Sequence, residues 1–193
     1  ARFTYAYKDK YLLTATGRYD GSSRFGENNK YGFFPSAGIA WRVEQEPFMQ
    51  KIRMITNFKL RASYGVTGNQ EIGNYQSLAL LSKNNYIYDN NILMGFKEGI
   101  GNSDLKWERT QQLNVGLDWG VLKSRIQVGL DYYYSTSDGL LLNVPVPAIT
   151  GYSSIFTNIG KLENKGIEFN ITTQNIDNKE KTPGTKFQLQ PSL

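Results

Sequence analysis

The 193-residue chain has no cysteine and no histidine. The first absence excludes a disulfide framework and any thiolate metal site. The second removes the commonest metal ligand and general base. No stretch approaches the eighteen or so apolar residues that a membrane helix needs. No secretory signal is visible, and the chain opens at Ala1 in mid-pattern, so it reads as a fragment of a longer precursor. Charge of one sign is never concentrated. The net charge is +5, but the lysines and arginines are scattered, and no nucleic-acid partner is expected. There is no fixed-period repeat, no low-complexity tract and no sign of a second domain. Hydrophobic residues make up only 39%, below the usual globular share.

What the chain has instead is alternation. In Phe58–Thr67, the residues Phe58, Leu60, Ala62, Tyr64 and Val66 are apolar, and Lys59, Arg61, Ser63, Gly65 and Thr67 between them are polar or small. Period two marks a strand with one apolar and one wet face. Its length is about that of a tilted strand crossing a bilayer. The same pattern recurs at Phe3–Tyr7, Tyr11–Asp20, Phe33–Arg42, Leu105–Gly120, Ile126–Ser135 and Ile159–Thr173. Phe187–Gln190 begins one more strand, which Pro191 stops. Lys8-Asp9-Lys10 reads as a tight turn joining a hairpin. Phe48, Ile52 and Ile55 are spaced four and three apart, which predicts a short amphipathic helix within Val43–Asn57. Gly68–Asp104 is a long loop rich in Asn and Gly, Thr136–Asn158 is a second long loop holding Pro145 and Pro147, and Gln174–Lys186 is a charged turn. The expected class is all-β, with about seven antiparallel strands and no βαβ unit.

Two environments suit such ribbons: a secreted β-sandwich, whose apolar faces meet each other, and a membrane barrel, whose apolar face meets lipid. Two features favour lipid. If the chain zigzags, one rim of the apolar face collects Tyr7, Tyr11, Trp41, Phe58 and Trp119, and the other collects Tyr19, Phe33, Tyr64, Tyr132 and Tyr134. Aliphatic and small residues lie between. Paired aromatic girdles are expected at the two membrane interfaces. Connections at the first rim are also short or medium, and those at the second are mostly long, as in outer-membrane barrels. Lys59 and Arg61 facing lipid would each cost about 2–4 kcal/mol near the midplane. They are therefore expected to face a wet lumen, with Arg18, Asp20, Glu108, Asp118 and Asp131.

Other motifs are weaker. Asp20–Gly26 lacks the alternating carboxylates of a calcium loop, and Arg24 sits where an oxygen ligand should be. The sequon Asn170-Ile171-Thr172 lies inside a strand. Gly65–Asn69 has no following lysine or helix and is no phosphate loop. Glu108, Asp118 and Asp131 raise glycoside hydrolysis, which needs two carboxylates flanking one bond; solvated lumen charge is the simpler reading. The loop rings Tyr75, Tyr86, Tyr88, Phe96, Tyr152 and Phe156 either grip a sugar or protein partner or pack locally. No catalytic residue, metal ligand or cofactor site is assigned, and the chain is not read as an enzyme.

Several stretches occur together in a fixed order: Asp20-Gly-Ser-Ser-Arg-Phe-Gly26, Phe34-Pro-Ser36, Ala40-Trp-Arg42, Leu60-Arg-Ala-Ser-Tyr-Gly-Val-Thr-Gly-Asn69, Leu105-Lys-Trp-Glu108 and Asn164-Lys-Gly-Ile-Glu168. From Ala1 to about Thr173 the chain thereby resembles the SusC/RagA-type TonB-dependent transporters of Gram-negative outer membranes. The resemblance implies a barrel of about 22 strands with a plugged lumen, of which residues 1–193 are a partial, late section. It places the plug, the segment that contacts TonB and the closing strand outside this chain. It further implies a SusD-type surface lipoprotein as partner, and import of oligosaccharides or peptides driven by TonB. The tail Leu189-Gln-Pro-Ser-Leu193 departs from the family pattern. The alternatives carried forward are a soluble β-sandwich that binds carbohydrate through its loop tyrosines and a carboxylate hydrolase.

Overall fold

The computed structural model describes residues 1–52, 54–174 and 186–189. The strands in chain order are β1 (Arg2–Tyr7), β2 (Tyr11–Gly21), β3 (Tyr31–Arg42), β4 (Ile55–Asn69), β5 (Leu81–Tyr88), β6 (Asn91–Glu98), β7 (Glu108–Val121), β8 (Ile126–Asp138), β9 (Leu141–Pro145), β10 (Ser154–Asn158), β11 (Lys161–Gln174) and β12 (Lys186–Leu189). Eight of them form one antiparallel sheet in the order β1-β2-β3-β4-β7-β8-β11-β12, and β5-β6 and β9-β10 are separate hairpins. Each long loop expected from sequence thus carries a hairpin of its own. Most of the charged turn after Gln174, and the tail from Gln190, lie outside the described residues.

Local chemistry explains the meander. Lys8 and Asp9 adopt φ of 51° and 53°, and the turn closes with Tyr7 opposite Tyr11. Asp89 and Asn90, at 46° and 59°, turn β5 into β6. Asp9, Asp89 and Asn90 have short polar side chains that tolerate this left-handed region, and its twist suits a tight hairpin. Pro35 sits inside β3 opposite Gly17. The β3–β4 ladder ends at Ser36–Gly65, one residue short of the position where proline has no N–H to give.

The helix expected within Val43–Asn57 is absent among the described residues. A 3-10 turn at Val43–Gln45 leads into turns closed by Glu46 N–H to Val43 O, Met49 N–H to Glu46 O and Ile52 N–H to Met49 O. An isolated short helix is marginal unless an apolar face packs, and Phe48 and Ile52 remain 58% and 46% exposed.

Among the described residues no second layer covers the apolar face of the sheet. Leu60, Val115 and Leu130, at its centre, are 38%, 47% and 42% exposed. A sandwich buries these positions against a facing sheet about 10 Å away; the sandwich alternative is therefore overturned. The buried core lies elsewhere, at the long-loop end: Phe25, Phe34, Ile72, Leu105 and Trp107, with Val66, Leu141 and Phe156 packed against them.

Candidate functional site

The opposite face of the sheet carries the charges. Register places Arg61 opposite Gly116 and Gly116 opposite Asp131, so one line crosses three strands. Because Gly116 has no side chain, the guanidinium of Arg61 reaches across β7. Its Nη2 donates to Asp131 Oδ2 at 2.8 Å and to Asp118 Oδ1 at 3.1 Å. A Cβ at position 116 would fall against Asp131 Oδ1 and the Arg61 guanidinium carbon. Lys59 pairs in register with Asp118, but that carboxylate is taken by Arg61. Arg18 pairs with Asp20 at 2.6 Å and lies 5.9 Å from the Phe34 ring.

Glu108 differs from the other residues expected in the lumen. It stands at the loop end of β7, where its Oε2 accepts the Leu141 N–H at 3.2 Å and holds the start of β9. The hydrolase reading finds no support in this arrangement. Asp118 and Asp131 share one guanidinium, and Glu108 is bonded to backbone, so no free acid faces a second carboxylate across an open site.

On the apolar face the rings fall in two groups. Tyr7, Tyr11 and Trp41 stack in series at 6.4 and 6.2 Å, and Phe58 pairs with Trp119. At the other end Tyr19 stacks on Tyr31 at 5.5 Å, with Tyr64, Tyr132 and Tyr134 further round. Tyr11 lies opposite Trp41, Tyr19 opposite Phe33 and Phe58 opposite Trp119, and both belts step relative to the hydrogen-bond register between β3 and β4. On the loop side the ring on β3 is Phe33, whereas Tyr64 on β4 pairs with Ala37, four residues nearer the turns. On the turn side the ring on β3 is Trp41, opposite Leu60, but the β4 ring is Phe58, again displaced toward the turns. At this step both belts shift in the same sense, the direction that a strand tilt produces.

One carboxylate organises the turn-side rings. Glu46 accepts Lys10 Nζ at 3.0 Å, Tyr11 Oη at 2.8 Å and Trp41 Nε1 at 3.3 Å. The bond from Lys10, then that from Tyr11, holds its carboxyl below the ordinary carboxylate range. A lowered folded pKa stabilises above the unfolded value and loses that contribution as pH falls through the folded one. The stability gap between wild type and Glu46→Gln should therefore be full at pH 7, begin to close below about pH 4.3, and vanish in stronger acid. Thermal melts of the complete refolded protein across this range measure it; a gap that ignores pH would show that the carboxylate's charge plays no part.

Three loops are tied into one layer over the long-loop end. Gly26 N–H bonds Leu105 O at 3.2 Å. Arg24 reaches Asn74 Oδ1 at 3.1 Å and Gln70 O at 3.2 Å, and Trp107 Nε1 donates to Lys30 O at 3.3 Å. Asn158 Nδ2 donates to Lys106 O at 2.7 Å and Gly139 O at 2.9 Å. The six loop rings divide here. Phe156 packs against the buried core, and Tyr152 lies half-buried with the Lys97 ammonium 5.9 Å from its ring. Tyr75, Tyr86, Tyr88 and Phe96 are exposed, the last three on the β5–β6 hairpin. Sequence reading missed the loop core. Its one visible signal was Phe34, a large ring on the face that alternation assigns to water.

The chain matches the family model described as TonB dependent receptor-like, beta-barrel, over residues 1–192. It is 46% identical over 190 residues to TonB-dependent receptor P39 of Formosa agariphila, covering 98% of this chain and 18% of that protein. It is 38% identical over 194 residues to TonB-dependent receptor SusC of Bacteroides thetaiotaomicron, covering 97% of this chain and 19% of that protein. Among solved structures, the RagAB peptide transporter superposes with a TM-score of 0.82 at 36% identity, over 92% of this chain and 20% of its own. The chain thus spans about a fifth of the length of these relatives.

Proposed function

Because the chain belongs to the TonB-dependent receptor-like β-barrel family, we propose that it is a wall section, with external loops, of a bacterial outer-membrane nutrient importer. The observation that carries the reading is the two-sidedness of one uncovered sheet. An aliphatic band between two aromatic belts faces out, and ion pairs reaching over Gly116 face in. Lipid takes the first face and a water-filled, plugged lumen the second. In this reading Arg18, Asp20, Lys59, Arg61, Asp118 and Asp131 line the lumen, and the loop layer forms the mouth.

The substrate class is oligosaccharide or peptide, in keeping with a relative named SusC and a neighbour described as a peptide transporter. A SusD-type surface lipoprotein is the proposed partner, with the exposed rings of the β5–β6 hairpin on its side. TonB engages an N-terminal part beyond this chain. The reading assigns no catalysis. Uptake of fluorescent oligosaccharides and peptides by cells carrying the complete gene should require both TonB and the proton gradient. Uptake indifferent to a protonophore would sink the import reading.

A further inference from the structure

The outward face is not uniformly smooth. A groove of 530 Å³ opens beside the turn-side belt, walled by Tyr5, Tyr7, Tyr11, Trp41 and Ile39 and floored by Ala62. Ala62 lies in register between Ile39 and Val115, and its small side chain leaves a dip among larger ones. Two features set it apart from an ordinary girdle. First, the wall is held in place. Glu46 bonds both the Tyr11 hydroxyl and the Trp41 indole N–H, and the Tyr7–Tyr11–Trp41 stack continues from there. Rings anchored through their polar tips keep the slot open without a ligand, which lowers the ordering cost of binding. Second, a cation stands at its mouth. Lys8, in the left-handed turn after β1, holds its ammonium 5.2 Å from the centre of the Tyr7 ring. Unlike Lys10, which is paired with Glu46, Lys8 makes no ion pair among the described residues.

We propose that this groove is a binding site for one phospholipid of the leaflet on the short-turn side, with an acyl chain lying along the slot over Ala62 and the phosphate on Lys8. The proposal rests on the membrane reading above and adds to it a single ordered lipid where that reading needs only an anonymous annulus. The occupant is a phospholipid because the slot is lined mainly by aromatic and aliphatic side chains, the guanidinium of the lining residue Arg61 is taken by Asp118 and Asp131, and the unpaired cation Lys8 stands at the end where the strands turn.

The test uses the complete receptor reconstituted in nanodiscs of phosphatidylethanolamine and phosphatidylglycerol in equal parts, then exchanged into detergent and weighed by native mass spectrometry. One retained phospholipid per receptor is expected beyond those carried by the variants. Ala62→Phe fills the slot and should lower retention about tenfold, through the methylenes it displaces. Lys8→Glu, in an exposed turn that does not touch the fold, should lower it about fivefold. Equal retention by wild type and Lys8→Glu would overturn the proposal even if Ala62→Phe failed to fold. An acyl-contact signal from labels at Val115 alongside equal retention would mean that the membrane reading stands and the groove is ordinary annulus. A water-only signal there would remove the membrane reading itself.

Discussion

Phe34→Ala is expected to destabilise the loop layer by about 3–5 kcal/mol, the usual cost of emptying a buried aromatic site. The ring is 4% exposed and meets Trp107 edge-on at 5.3 Å, which in turn meets Phe25 at 5.0 Å. It occupies the fork that opens where the β3–β4 ladder stops at Ser36–Gly65, while both strands run on. Gly32 and Gly68 leave the space for it; a Cβ at either would strike the ring. Loss of the ring therefore empties the point where three loops and two strands meet. The loss should appear as local opening. Hydrogen exchange should accelerate in segments 22–30, 70–79 and 99–107 of the complete protein, while the amides of β7 and β8 keep their protection. Uniform acceleration would show that the loop layer and the wall are one cooperative unit.

The second large effect separates the two faces. Val115→Arg puts a charge in the middle of the aliphatic band and should cost about 2–4 kcal/mol of folding free energy in lipid. Asn114→Arg, one residue away on the charged face, should change it by no more than about 0.5 kcal/mol, as surface changes usually do. Denaturant titration of the complete barrel folding into vesicles gives both numbers. Similar costs at 114 and 115 would contradict the lipid assignment, because a one-residue step along a strand exchanges the two environments.

The places where sequence reading fell short share a cause. Leu105 continues the alternating pattern into β7, yet it is fully buried in the loop core, and the strand starts at Glu108. Phe48 and Ile52 have helical spacing but no surface to pack against, and Ile55 opens β4 opposite Val121 instead. Gly68–Asp104 reads as loop because its alternation is blurred by Asn and Gly, although Leu81–Tyr88 and Asn91–Glu98 pair along their whole length. The ladder of the sheet itself followed the written alternation closely, with Lys59 opposite Asp118 and Tyr64 opposite Leu113.

Residue order alone determined which side chains share a face, where the hairpin turns fall and where the rings gather, because period-two direction is a property of neighbouring residues along the backbone. Only the tertiary structure decided that Arg61 spans Gly116 to two aspartates, that Phe34 leaves the wet face for a core built from three loops, and that Glu46 locks the rings of two strands. Those outcomes depend on groups brought together from distant positions, such as Trp107 and Lys30, 77 residues apart. No local periodicity encodes which distant neighbour will fill a gap.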